Sequence, residues 1–240
     1  MTTPSKPKPD KPVQAEGEVN VSARRRAWAR ANIGAPTGDL LARDAAAFMH
    51  QSVSTPCLSV IRKAEGLWIE DTDGRRYMDF HGNNVHHIGY GHPRLKQAIA
   101  AQMDALPFAP RRFASQVAIE LAEKLASLAP GNLAKTLLAT GGSDAIEIAL
   151  KIARAATGRH KTLSFWDAFH GAGFGAASVG GEQMFRHSGF IGPLLEGAEH
   201  VPPFGGYRNP FGVAHSTEHP GDEAVGRIVA ALIRYTLEKA

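Results

Sequence analysis

A single cysteine, Cys57, in 240 residues excludes an internal disulfide, so nothing in the sequence argues for an oxidising compartment. No window approaches the roughly 18 consecutive apolar residues that a membrane-crossing helix needs. The opening MTTPSKPKPDKPVQAEGEVN also lacks the apolar centre of a signal peptide. Membrane insertion and secretion are therefore not expected, and the expected location is the cytoplasm. An excess of one charge is missing too: 27 Lys and Arg stand against 23 Asp and Glu, a net +4, and only Arg24, Arg25 and Arg26 form a basic cluster. That is too little to call for a nucleic-acid partner. There is no internal repeat and no GxxxxGK[ST] phosphate loop. What is present is an ordinary globular composition, 43% hydrophobic and 21% charged, in a chain long enough to bury a core.

The Lys-Pro repeat KPKPDKP cannot bury surface and lacks backbone donors at its prolines, so residues 1 to 20 are expected to form a disordered tail. Apolar residues recur at helical spacing over Val21 to Asn32 and Asp39 to His50, with Gly34, Pro36 and Gly38 between them. Two short helices are expected there. In LWIEDTDGRRYMDF, Asp73 and Gly74 separate two strand-like runs, the signature of a β-hairpin. Helices are expected in LKQAIAAQMDAL, after His92 and Pro93, in QVAIELAEKLASLAP, and in IVAALIRYTLEKA.

Thr136 to Thr140 is a short apolar run that enters Gly141, Gly142 and Ser143, then a helical stripe from Asp144 to Gly158, then a second apolar run from Thr162 to Trp166. This order of strand, glycine turn, helix and strand favours a parallel α/β sheet. A helix entered through glycines presents unpaired amides, and with a hydroxyl beside them Gly142 and Ser143 form a ready phosphate site. The plainer alternative is a tight turn in which Ser143 caps the helix. Gly171, Gly173 and Ala176 formally match a GxGxxA dinucleotide loop, but Gly180 and Gly181 are expected to break any helix that should start there. His81, His86, His87 and His92 lack the companion ligands and spacing of a metal site, and none is expected.

These separated motifs resemble one family. TLLATGGSDAIEIALKIARAATGR, then FHG at Phe169 to Gly171, then FIGPLLEGAEHVPPFGGYR, preceded by DTDGRRYMDF and IGYGHP, look like the class III aminotransferases, pyridoxal-phosphate enzymes of fold type I. The likeness runs from about Pro56 to Arg208. It implies an incomplete α/β fold type I large domain, mainly parallel sheet with helices, preceded by part of a small α+β domain. The corresponding division is 1–20 tail, 21–95 helices and hairpin, and 96–240 the first part of the cofactor-binding domain. Carried over residue by residue, the resemblance places Gly142 and Ser143 on the cofactor phosphate. It places Phe169 against the pyridine ring, where many relatives carry Tyr, and His170 close to that ring. A homodimer is also implied for the full-length protein.

The family's Schiff-base lysine and its acidic partner to the ring nitrogen come downstream of the segment that resembles Tyr207 and Arg208, and none of the ten lysines here lies in a matching motif. The expectation is therefore an N-terminal piece of a longer enzyme, with no catalytic residue in this chain and no activity by itself. Within the family, HGNNVHHIGYGHP looks like the subgroup of ethanolamine-phosphate phospho-lyases and hydroxy-aminoethylphosphonate ammonia-lyases. Asn83 and Asn84 would then hydrogen-bond a small amino-phosphonate or phosphorylated amino alcohol, and Arg112 would offer its planar fork to the anion. The simpler readings are turn formation for the two asparagines and a surface or interface charge for Arg112. Two alternatives stand beside the lyase: an aminotransferase passing an amino group from a small amine to a keto acid, and a non-catalytic product acting only as an interaction partner.

Overall fold

A computed structural model describes residues 18–49, 56–110, 112–186, 192–205, 207–213 and 222–239. The chain divides into two compact units, Met1–Ala114 and Ser115–Ala240.

In the first unit, α1 (Ala23–Asn32) begins where Ser22 Oγ accepts the Arg25 amide at 3.1 Å. Most of the expected tail, residues 1–17, lies outside the described residues. Its last residues correct the expectation: Glu18 is buried, and its carboxylate accepts the Asn20 amide at 2.8 Å and Arg25 Nη2 at 2.7 Å. Helix α2 (Ala35–Ala47) starts earlier than Asp39 because Pro36, read from sequence as a break, sits in the first turn, where a missing N–H costs nothing. Ala29, Leu41 and Leu58 form the small core between these helices and the next segment, flanked by Ile33 and Val60.

The expected hairpin is present and has gained a strand. Strands β1 (Ile61–Glu65), β2 (Trp68–Asp71) and β3 (Arg76–Met78) form an antiparallel sheet in that order, with Ile69 opposite Tyr77 and Gly74 at φ +81° in the tight turn. Asp71, 1% exposed, organises that turn. Its carboxylate accepts the amides of Asp73 at 3.0 Å and Arg75 at 2.8 Å and the hydroxyls of Ser59 at 3.1 Å and Tyr77 at 2.9 Å. A 3-10 turn at Gly82–Asn84 follows, then α3 (Pro93–Ala105), again with proline in its first turn.

The second unit holds α4 (Gln116–Leu128) and α5 (Gly142–Thr157), which closes on Gly158 in the left-handed region at φ +67°. Strand β4 (Thr162–Phe165) pairs in parallel with β5 (Ala198–Val201), as the expected sheet type requires. Between them lie α6 (Phe174–Val179) and α7 (Gln183–Arg186). Helix α8 (Asp222–Lys239) buries Val225 and Val229 and packs on β5.

Two local expectations are corrected. Thr136 to Thr140 lies outside any strand, with Leu137 and Leu138 exposed, because an apolar run becomes a strand only where another backbone pairs with it. A helix does start after Gly173, since α6 runs for six residues before stopping at Gly180. The two glycines shorten it rather than prevent it.

Candidate functional site

The first turn of α5 is open. Gly141 is the extended N-cap, the first intrahelical bond runs from Ala145 N–H to Gly141 C=O at 3.0 Å, and no side chain caps the turn. The amides of Gly142, Ser143 and Asp144 precede that bond and lack intrahelical acceptors. Ser143 therefore is not the cap that its position after two glycines allowed. Its Oγ instead accepts the amide of Ala172 at 3.1 Å, which fixes the oxygen and leaves its own proton available to donate. A Cβ on Gly142 would meet nothing within 4 Å, so the turn has room for a ligand.

The glycines that formally matched a dinucleotide loop have another use. A Cβ on Gly171 would stand 2.7 Å from Ser143 Cα, one on Gly173 would stand 2.6 Å from Glu147 Oε1, and one on Gly175 2.4 Å from Glu147 Oε2. Their missing side chains let the 171–176 segment lie directly on one face of α5. Glu147 completes the contact, its Oε1 accepting the amide of Ala176 in the first turn of α6 at 2.9 Å.

Phe169 and His170 lie immediately before that segment. The Phe169 ring is 55% exposed, with Phe185 tilted against it at 4.7 Å between centroids. His170 is half-buried, and its Nε2 lies 3.3 Å from Ser164 Oγ on β4. On the far side of α6, Arg186 Nη1 donates to the carbonyls of Ala177, Ser178 and Gly180 at 3.2, 2.7 and 2.6 Å, closing the helix's C-terminus. His200 stacks on Trp166 at 4.5 Å. Its Nε2 donates to Gly180 C=O at 3.0 Å, so the 3.5 Å approach of Arg186 to the same nitrogen is a proximity of charge, not a hydrogen bond. Burial, then the Arg186 charge, holds the His200 imidazole below its ordinary value.

In the first unit, Asn83 and Asn84 both sit at positive φ, +46° and +59°, a conformation asparagine tolerates better than most residues. Both side chains are exposed. Asp79 holds this turn, with Oδ1 accepting the amides of His81 at 2.9 Å and Gly82 at 2.8 Å and Oδ2 accepting the Tyr90 hydroxyl at 2.5 Å. The Tyr90 bond, then the two amides, lowers the Asp79 carboxyl, and the same bond raises the phenol. Asn84, His86 and Tyr90 line a cavity of about 460 Å³ here. Arg112 is exposed in the α3–α4 loop. Thus Gly142, Ser143, Phe169 and His170 belong to one unit and Asn83, Asn84 and Arg112 to the other. Among the described residues no His, Cys, Asp or Glu cluster could hold a metal, and no helix is long and apolar enough to cross a membrane.

Residues 49–234 match the family model for class-III aminotransferases. The chain belongs to that family. Against the (R)-1-hydroxy-2-aminoethylphosphonate ammonia-lyase of Vibrio splendidus this class-III chain is 44% identical over 211 residues, which cover 88% of this chain and 44% of the relative. An alanine/serine racemase of Pyrococcus horikoshii is 33% identical over 73% of this chain and 37% of its own length. Among solved structures, an (S)-enantioselective omega-transaminase from Thermomicrobium roseum superposes with a TM-score of 0.71 at 32% identity, over 84% of this chain and 46% of that one. A PLP-bound amine transaminase from an uncultivated Pseudomonas species gives 0.69 at 30% identity, over 80% and 45%. The chain spans somewhat less than half the length of these relatives. The fold is the fold type I arrangement in part, and pyridoxal phosphate is the cofactor that class-III membership indicates. The open α5 turn fits its phosphate group: three amides, one hydroxyl and no side chain at Gly142 make an anion cradle.

Proposed function

We propose that the whole protein is a pyridoxal-phosphate-dependent lyase that eliminates ammonia, or phosphate, from a small amino-phosphonate or phosphorylated amino alcohol. The observation that carries the cofactor half of this reading is the uncapped first turn of α5, where Ser143 is already oriented by Ala172 with its proton free to donate. The 44% identity to an aminoethylphosphonate ammonia-lyase supports the substrate half. When bound, the cofactor supplies an electron sink for bond breaking beside the substrate nitrogen. The residues of this chain do the holding. The amides of Gly142 and Ser143 and the Ser143 hydroxyl bind the phosphate, Phe169 covers the ring face, and His170 stands beside the ring, itself oriented by Ser164. Asn83 and Asn84 donate to the substrate's hydroxyl or anionic oxygen, and Arg112 provides a forked cation for the phosphonate.

The same reading includes a cytoplasmic homodimer. It also holds that this 240-residue stretch alone is inactive, because none of its ten lysines lies in a matching Schiff-base motif. A second reading, transamination, is favoured by the superposed solved structures, which are transaminases. The two differ in their need for an acceptor. Full-length protein incubated with 1-hydroxy-2-aminoethylphosphonate should release ammonia continuously without pyruvate. Strict dependence on a keto acid, with alanine accumulating, would establish the aminotransferase instead. Phosphoethanolamine with phosphate detection separates the phospho-lyase variant.

A further inference from the structure

Helix α5 contributes more than its first turn. Ser143 and Glu147 are four residues apart and so project from one helical face, and each accepts a backbone amide from the same neighbouring segment, Ala172 at 3.1 Å and Ala176 at 2.9 Å. Gly171, Gly173 and Gly175 alternate along that segment, and each is small where a Cβ would collide with Ser143 or Glu147. The side chains of both α5 residues are thus matched by missing side chains opposite. Phe169 and His170 are carried on the N-terminal end of this clamped segment. We propose that Glu147 is a positioning residue for the cofactor: its carboxylate fixes the 171–176 segment on α5 and thereby sets Phe169 and His170 in register with the Gly142–Ser143 phosphate cradle.

The inference rests on the phosphate reading above but adds a distinct residue with a distinct signature. Removing the Glu147 acceptor frees the Ala176 amide and one of the two ties of the segment. Ser143 keeps the other, so the segment can swing about Ala172, moving the ring-side residues while leaving the phosphate donors in place. The effect should therefore register in the ring's surroundings more than in phosphate contact. Glutamine retains a carbonyl oxygen that can accept the same amide, whereas alanine offers none.

The test uses full-length protein, with Glu147→Ala, Glu147→Gln and Gly173→Ala compared against Ser143→Ala. The measurements are pyridoxal-phosphate affinity, the visible circular dichroism of the bound cofactor, and hydrogen exchange at the Ala172 and Ala176 amides. Glu147→Ala should weaken affinity about tenfold, as loss of one hydrogen bond to a charged group allows. It should also diminish the dichroic band and speed exchange at Ala176, with Glu147→Gln largely restoring all three. Gly173→Ala, which displaces the carboxylate without removing it, should act in the same direction and serves if Glu147→Ala does not fold. A Glu147→Ala or Gly173→Ala protein with lowered melting temperature but wild-type affinity and dichroism would overturn the proposal, leaving Glu147 a purely structural brace. Wild-type affinity in Ser143→Ala would instead remove the phosphate reading, and the positioning role with it.

Discussion

Gly171 approaches Ser143 so closely that a methyl group on the glycine would stand 2.7 Å from the serine Cα. This contact joins the turn that opens α5 to the loop carrying Phe169 and His170, and it explains why the hydroxyl of Ser143 is already oriented by Ala172. The chemistry assigned to that turn depends on two glycines with opposite surroundings. Gly142 faces open space, whereas Gly171, at φ +133°, faces the Ser143 side chain and its Cα.

The pair gives opposite expectations for the same substitution. Gly171→Ala combines an unfavourable φ with a collision against main chain, so it should destabilise the protein by about 2–4 kcal/mol in denaturant unfolding. Gly142→Ala lies within a helix at ordinary φ and meets nothing, so without cofactor it should stabilise by about 0.5–1 kcal/mol. With pyridoxal phosphate the sign reverses, because the new methyl occupies the cradle. Unchanged cofactor affinity in Gly142→Ala would place the phosphate elsewhere.

Acid should attack the hairpin turn. Burial opposes the charge on Asp71, but the amides of Arg75 and Asp73 and the hydroxyls of Tyr77 and Ser59 outweigh it, and the carboxyl is held below its ordinary value. A carboxyl lowered by folding contributes stability that is complete above its unfolded value of about 3.9 and is lost as pH falls through the folded value. Melting temperature should therefore decline on acidification below about pH 4. Asp71→Asn should lower the melting temperature at neutral pH and remove part of that slope. Tyr77→Phe, which deletes one donor, should bring the acid transition to higher pH.

His200 has the reverse charge logic and a different window. Its imidazole is held below the ordinary value by burial first and by Arg186 second, so the folded state binds a proton less readily than the unfolded chain does. The stability this contributes is present above about pH 6.5 and is lost as pH falls from there through the folded value. As pH falls below about 6.5 the melting temperature should drop, and His200→Gln, which can still donate to Gly180, should flatten the drop. An equal slope in wild type and variant would assign the titration to another group.

Much of this architecture is legible from periodicity and turn chemistry. The apolar stripes of α1, α3, α4, α5 and α8 and the Asp73-Gly74 turn are local signals, and local signals survive because few residues decide them. Strand β1 was harder to read, since IRKAE has no clean alternation and gains its strand identity from pairing with β2. Thr136 to Thr140 failed for the mirror reason, having apolar residues but no pairing backbone. Of the candidate site, the glycine turn was visible because its composition is unusual. Glu147 was hidden inside a helical stripe, and Asp79 resembled any strand-end carboxylate. The usable clue was the i, i+4 spacing of Ser143 and Glu147 opposite alternating glycines at 171, 173 and 175, a pairing that only the folded chain displays.

The asparagine pair offers the sharpest separation of a turn role from a substrate role. Both residues occupy the left-handed region, at φ +46° and +59°, and both expose their side chains, with Asn84 lining the cavity shaped by Asp79 and Tyr90. An alanine there costs roughly 1 kcal/mol in backbone strain alone, so Asn→Ala confounds the two roles. Glycine accepts the conformation while deleting the amide. If the amides bind substrate, Asn83→Gly and Asn84→Gly in the full-length enzyme should leave stability within about 0.5 kcal/mol and cofactor affinity unchanged, yet lower kcat/KM about 10-fold or more. The loss should be larger for hydroxylated aminoethylphosphonate than for its analogue without the hydroxyl, because only the former presents the oxygen that an amide would meet. Full activity in both glycine variants, with destabilisation confined to the alanine variants, would reduce Asn83 and Asn84 to turn formers and leave recognition of the anion to Arg112.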